Sequence, residues 1–187
     1  MFSSAREDWT TPRWLFDQLA AEFHFTLDAA ASASNALCAA YYTPAQDALR
    51  QPWAGAVWCN PPYGRAVGRW VAKGFTEAMS GSAAVVVMLV AARTDTRWWH
   101  DCALHGREIR FIPGRLRFGG HSHPAPFPSA VLIFAAPPAQ SVRVSSLQPI
   151  GTPETRHRSG AAPHKEAPPR RSEEAQEAYS PREISCG

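Results

Sequence analysis

The sequence predicts an α/β fold built on a mainly parallel sheet, and three observations carry that prediction. Stretches with strand character alternate with stretches at helical spacing. The run from Ala83 to Val90 is apolar without interruption and rich in valine, as a strand covered on both faces must be. Aromatic and aliphatic residues are concentrated in about the first 136 positions, enough for one core and hardly for a second. The expected organisation is therefore one folded domain over 1–136 and a disordered tail rich in Pro, Arg and Glu over 137–187.

Taken in order, Thr11-Pro12 opens a predicted helix with Trp14, Leu15, Leu19 and Phe23 at helical spacing, and Thr11 or Thr10 is suited to cap it. Phe23–Asp28 alternates apolar and polar residues and ends in a carboxylate, as a strand entering a functional loop does. No strand can be placed between Ala29 and Gly55. Ala56–Asn60 is a short strand halted by Pro61-Pro62, because proline cannot donate to a sheet ladder. Val67–Met79 is helical, with Val67, Trp70, Val71, Phe75 and Met79 on one face. Asp95–Leu104 is a further helix, Glu108–Phe118 a strand or strand pair turning at Pro113-Gly114, and Ala130–Ala135 a last buried strand. From Ser141 the aromatic residues all but disappear, so the segment cannot offset its ordering entropy. Its seven Lys and Arg nearly cancel its six Glu, which argues against a strongly basic arm.

The totals exclude several classes. The longest apolar run, about Ala83 to Ala92, is roughly half a bilayer span. Residues 1–9 lack the apolar core of a signal peptide, and Cys38, Cys59, Cys102 and Cys186 share no metal-like or redox spacing, so a reduced, cytoplasmic protein is expected. A formal charge of +3 permits contact with phosphates without demanding it.

In parallel sheets ligands bind outside the carboxyl ends of the strands, so the site is expected where FTLD meets Ala29 and where VWCN meets Pro61. Asn60-Pro61-Pro62-Tyr63-Gly64-Arg65 is the most informative stretch. An exocyclic base amine is a poor nucleophile, its lone pair being delocalised into the ring, until acceptors pull on both N–H bonds. The amide oxygen of Asn60 and the carbonyl of Pro61 supply two acceptors, the prolines fix the local φ, and the same groups stabilise positive charge developing on nitrogen. Tyr63 is suited to stack on a base rotated out of a duplex.

Asn60-Pro61-Pro62-Tyr63 resembles the catalytic motif of amino-methyltransferases, and the wider sequence resembles the phage-type DNA N-6-adenine methyltransferase (Dam-like) family. The shared blocks run from Asp8-Trp9-Thr10-Thr11-Pro12 through Phe25–Ala31, Asn35–Cys38, Tyr42-Thr43, Asp47–Leu49 and Trp53 to Trp58–Tyr63. Looser blocks follow at Val85–Val90, Arg115–Phe118 and Pro126–Ala130. The resemblance implies a single minimal Rossmann-like domain that transfers a methyl group from S-adenosylmethionine to N6 of adenine in double-stranded DNA. Catalysis would rest with Asn60, Pro61, Pro62 and Tyr63, and cofactor binding with Trp9, Thr11, Pro12, Asp28, Ala29 and Asp47. Asp28 suits a cationic ligand at a strand end, while Asp47 is either a ribose or adenine contact or a capping loop residue. Asn35 is a pocket wall or a turn residue. Ala29-Ala30-Ala31-Ser32 stands where most methyltransferases carry a Gly-x-Gly loop.

Other readings remain open at this stage. Cytosine N4 makes nearly the same chemical demand, as does a protein glutamine amide, and a DNA-binding module of the same fold without turnover is the rival from another class. Trp70, Trp98 and Trp99 read as core, and Trp9 as core or contact. His121 and His123 lack companion ligands for a metal and are expected on a mobile, glycine-flanked loop over the cleft. Cys59 has no histidine partner to make it a nucleophile. Arg93, Arg97, Arg115 and Arg117 are candidate phosphate contacts or plain surface cations.

Overall fold

The computed structural model describes residues 9–119, 123–137 and 141–149. They form a mixed α/β domain: α1 (Arg13–Phe23), β1 (Leu27–Asp28), β2 (Ala40–Tyr41), β3 (Gly55–Cys59), α2 (Val67–Met79), β4 (Ala83–Ala91), α3 (Arg97–Asp101), β5 (Glu108–Phe111), β6 (Ser129–Phe134) and β7 (Arg143–Ser146). One-turn 3-10 helices lie at Pro44–Gln46 and Ala103–His105. The seven strands make one sheet in the order β2-β1-β3-β4-β6-β5-β7. All pairings are parallel except the two of β6, which runs against β4 and β5.

The uninterrupted apolar strands are explained by cover on both faces. Val57 and Cys59, Val86, Met88 and Val90, and Ala130, Leu132 and Phe134 face α2 and α3. The alternate residues Trp58, Val87, Leu89, Val131 and Ile133 face α1 and the segment holding Ile112, Leu116 and Phe118. Nearly all of these side chains are fully buried, each contributing about 1.5–3 kcal/mol of transfer free energy.

The helix predicted over 67–79 is found with those bounds, and β4 runs one residue beyond its prediction. Elsewhere local chemistry overrides the pattern. The strand expected from Phe23 shortens to Leu27–Asp28, because α1 continues through Phe23 and ends on His24 in the left-handed conformation (φ 52°). That helix carries no side-chain cap: its N-cap is Pro12, and Thr11 turns elsewhere. Trp14 points outward, leaving Leu15, Phe16 and Leu19 as the buried face. The helix expected over 95–104 is a five-residue turn followed by a 3-10 turn. Beyond Phe111 the predicted second strand is an irregular segment, anchored by buried Ile112, Leu116 and Phe118 and turning at Gly114 (φ 71°). The two-residue β2, too short for any alternation to register, lies in the stretch where no strand was expected. Arg143–Ser146 joins the sheet as β7, so the boundary expected at 136 precedes the last strand. Most of the expected tail, 150–187, lies outside the described residues, as does His121.

A cross-sheet ion network ties α1 to β5 and β7. Arg110, 8% exposed, donates to both carboxylate oxygens of Glu22 (2.5 and 2.6 Å) and of Glu108 (3.0 and 3.1 Å). Arg143 and Ser145 also donate to Glu108. Burial alone would raise the Glu108 carboxyl, but these donors outweigh it and hold it at about 2.

Candidate active site at the ends of β1 and β3

The chain leaves β1 toward β2 on one side and reaches β3 on the other. Such a reversal of direction opens a crevice at the carboxyl ends of the two central strands. Asp28 and Trp58 are register partners there, and the Ala29 N–H extends the ladder to the Trp58 carbonyl at 2.9 Å. A cleft of about 710 Å³ opens beyond them, bounded by Trp9–Thr11, Asp28–Ser32, the 3-10 turn at Pro44–Gln46 and Asn60–Tyr63. This volume falls within the range of small-molecule sites, roughly 300–1,000 Å³.

Of the ten predicted site residues, the cleft gathers nine: Trp9, Thr11, Asp28, Ala29, Asp47, Asn60, Pro61, Pro62 and Tyr63. Pro12 lines an adjoining shallow depression instead. Trp70, read as core from sequence, packs half-buried against the core cluster and also borders the cleft. Trp99 is buried as expected, and Trp98 is half-buried against the same cluster.

Asn60 has its amide nitrogen engaged twice, donating to the Trp9 carbonyl (2.6 Å) and to Thr11 Oγ1 (3.1 Å). A carbonyl can only accept, so the atom facing it must be Nδ2 and the opposite atom Oδ1. Oδ1 is buried and accepts no hydrogen bond among the described residues. This tether across 51 positions had no signal in the sequence beyond the threonine that an ordinary helix cap would equally use.

Tyr63 belongs to a four-ring cluster. It stacks on Phe127 (5.0 Å, 21°) and meets Phe118 (5.6 Å) and Trp9 (6.2 Å) edge-on. Its hydroxyl is buried without a partner among the described residues, and burial pushes its pKa far up, so the phenol stays protonated. Phe118 and Phe127 were missed as site residues although both lie in the looser blocks of the resemblance, because those blocks carry no residue whose chemistry marks a site. Gly64 (φ 135°) lets the chain turn from Pro61-Pro62-Tyr63 toward α2.

Asp28 is 3% exposed. Its two oxygens accept the backbone N–H groups of Ala30 (3.3 Å) and Leu37 (3.1 Å), so the carboxylate also folds the loop that forms the cleft wall. Burial raises its pKa, and those two bonds only partly offset the rise. Asn35 is a turn residue as well as a wall: its Oδ1 accepts from the Ser32 N–H (2.6 Å) and hydroxyl (2.9 Å). Asp47 likewise combines both roles. It ends the 3-10 turn in the left-handed region (φ 49°), pairs with exposed Arg50 at 3.5 Å, and borders the cleft. Cys59 is fully buried in β3 and its thiol is pushed well up by burial, which removes it as a nucleophile. Among the described residues no cluster of His, Cys, Asp or Glu is placed to hold a metal ion, and no helix is long and apolar enough to cross a membrane.

Fold and site together define an α/β domain with a polar, aromatic-walled cleft at a strand-order switch, consistent with a methyltransferase-like fold. The profile of the family described as DNA N-6-adenine-methyltransferase (Dam) matches residues 1–141 of the 187. The chain belongs to that family. It is 30% identical over 112 residues to a protein of Haemophilus phage HP1 (strain HP1c1) named DNA N-6-adenine-methyltransferase, a match covering 58% of this chain and 64% of the relative. A protein of the same name from Escherichia phage T1 is 30% identical over 116 residues, covering 60% of this chain and 48% of the relative. The match thus spans less than two thirds of either relative.

Proposed function

We propose that this chain is a minimal Rossmann-like methyltransferase that transfers a methyl group from S-adenosylmethionine to N6 of adenine in double-stranded DNA. The observation that carries the reading is the Asn60 amide: a buried acceptor with no partner among the described residues, next to Pro61 in the lining of a cleft large enough for a nucleoside. Family membership and the names of both relatives favour adenine over cytosine or a glutamine amide.

The cofactor fits the residues present. Asp28 offers buried carboxylate oxygens with remaining lone pairs to a cationic amine, and the small side chains of Ala29–Ala31 let a ligand approach the backbone where a Gly-x-Gly loop is lacking. Trp9, Thr11 and Asp47 complete that end of the cleft. When bound, S-adenosylmethionine supplies the electrophilic methyl on its sulfonium.

The protein's own part is to prepare the amine. Asn60 Oδ1 accepts one N–H of the adenine amine and the Pro61 carbonyl accepts the other, which returns electron density to nitrogen. As the nitrogen takes the methyl and the carbon–sulfur bond breaks to leave a neutral thioether, both acceptors hold the growing positive charge without having to reorient, and the surplus N–H proton then passes to solvent. Tyr63, braced on one face by Phe127, offers its other face to a base lifted from the duplex, a necessity because a stacked, paired base cannot present its amine to a donor in a pocket.

The test is incubation of unmethylated plasmid DNA with purified protein and labelled S-adenosylmethionine, followed by nucleoside mass spectrometry. N6-methyldeoxyadenosine is expected with the wild type. With Asn60→Ala, turnover is expected to fall about 10²–10³-fold while calorimetry shows cofactor affinity within about threefold of wild type. Failure of the wild type to bind the cofactor or to label DNA overturns the reading.

A further inference from the structure

The geometry points to Trp9 and Thr11 as a clamp that sets the orientation of the Asn60 amide and makes this site selective for asparagine over aspartate at position 60. As a bare acceptor for an amine N–H a carboxylate would be the stronger group, so the choice of an amide calls for a reason. The Trp9 carbonyl supplies it. At 2.6 Å from the side chain it tolerates only a donor, and a carboxylate presents acceptors alone. Thr11 Oγ1, in a residue 7% exposed, takes the second N–H of the same group. With both hydrogens of Nδ2 committed, the amide cannot flip, and Oδ1 is left as the buried atom, unpartnered among the described residues, of a side chain that borders the cleft.

The clamp is itself held rigidly. The Thr10 carbonyl between the two clamping residues accepts the Gly119 N–H at 2.8 Å. The Trp9 ring packs edge-on against Phe118 (5.0 Å) and Phe127 (5.7 Å). Thr11 therefore acts as a positioning residue: its hydroxyl is withdrawn from the helix cap it is placed to make, and serves the amide that carries the chemistry. The consequence for activity rests on the proposed methyl transfer, but the hydrogen bonds themselves are testable without it.

Asn35 and Asn60 are the only asparagines in the chain, so labelling the full-length protein with 15N-asparagine gives two side-chain NH2 pairs, of which Asn60→Asp removes one. In the wild type the Asn60 hydrogens are expected to exchange with solvent at least about tenfold more slowly than a free amide, and Thr11→Val to lose most of that protection. Thr11→Ser is expected to restore it. In transfer assays Thr11→Val should lower kcat about tenfold with little change in the KM for DNA, the signature of a transition-state contact held less well, and Thr11→Ser should recover most of the loss. Asn60→Asp should be as inactive as Asn60→Ala. Free-amide exchange of Asn60 in the wild type, unchanged exchange in Thr11→Val, or substantial transfer by Asn60→Asp each overturns the clamp. A wild type that protects the Asn60 amide yet transfers no methyl group leaves the clamp standing and overturns the proposed function instead.

Discussion

At the scale of single residues, the cleft depends on side chains that carry two tasks. Asp28 folds the loop from Ala30 to Leu37 through its backbone acceptances and faces the ligand space with what remains. Its pKa is raised by burial, so its contribution to stability is present below the ordinary aspartate value of 3.8 and is lost as pH rises through the raised value. A cationic ligand has the opposite preference, binding the ionised form and pulling the pKa back down. Calorimetry is therefore expected to show S-adenosylmethionine affinity increasing as pH is raised from 3.8 toward neutrality, with Asp28→Asn abolishing the increase and weakening binding at the upper end. A pH-independent affinity in the wild type would remove Asp28 from the cofactor site. The residues at two predicted strand ends were legible as candidates because the pattern is interrupted there: a carboxylate after alternating apolar residues, and two prolines where a strand should continue. Thr11, Phe118 and Phe127 were not legible in their roles, since a threonine before a helix and a phenylalanine in an apolar segment have commoner explanations that the sequence satisfies equally well.

At the scale of elements, two contacts decide how firmly the sheet is covered. Glu108, 4% exposed, is held at about 2 against an ordinary 4.5, chiefly by Arg110, Arg143 and Ser145. Its folded pKa is depressed, so it supplies stability above about pH 4.5 that is lost as pH falls toward 2, on the order of 3 kcal/mol in all. Arg110→Met takes two of the four hydrogen bonds that carboxylate accepts among the described residues and leaves it Arg143 and Ser145, and is expected to cost about 1–3 kcal/mol in urea unfolding; Glu108→Gln in the same chain should return part of it, and no recovery would mean that lost packing dominates. Gly74 tests the opposite face. Alanine there improves helix propensity by about 1 kcal/mol, but its Cβ would stand 2.8 Å from Met88 Sδ, 3.1 Å from Val86 Cγ1 and 3.3 Å from the Trp53 ring. Methionine can yield, whereas a β-branched strand residue and a fully buried indole cannot, so overpacking is expected to win and Gly74→Ala to lower stability by about 1 kcal/mol net. A stabilised variant would show that α2 has room to lift. α2 was legible from its helical period and β4 from its unbroken apolar run, and α3 was legible as a helix though not in its length; β2 and the segment after Phe111 were not, because their shapes come from tertiary contacts that no local pattern records.

At the scale of the whole molecule, the question is where a duplex would lie. Six of the seven strands point their carboxyl ends to one edge, β6 alone being reversed, and the cleft opens on that edge. Arg65 follows β3, Arg93 follows β4 and Arg115 follows β5, all exposed and without an ion pair among the described residues. Arg97, by contrast, is paired with Asp101 at 3.0 Å. A molecule with a net charge of only +3 has little long-range pull on a polyanion, so under the proposed function its affinity for DNA would come from the few cations that follow strands on that edge. The three free arginines are expected to act as phosphate contacts, whose energy comes from counterion release and carries no base preference. Measured as log K against log salt with duplexes of several sequences, each of Arg65→Ala, Arg93→Ala and Arg115→Ala should then reduce the slope by about one and weaken binding uniformly across sequences. Arg97→Ala should leave the slope nearly unchanged. Slopes that do not move for the three, or move as much for Arg97→Ala, would place the duplex on another face and leave the cleft to be reached from a different side.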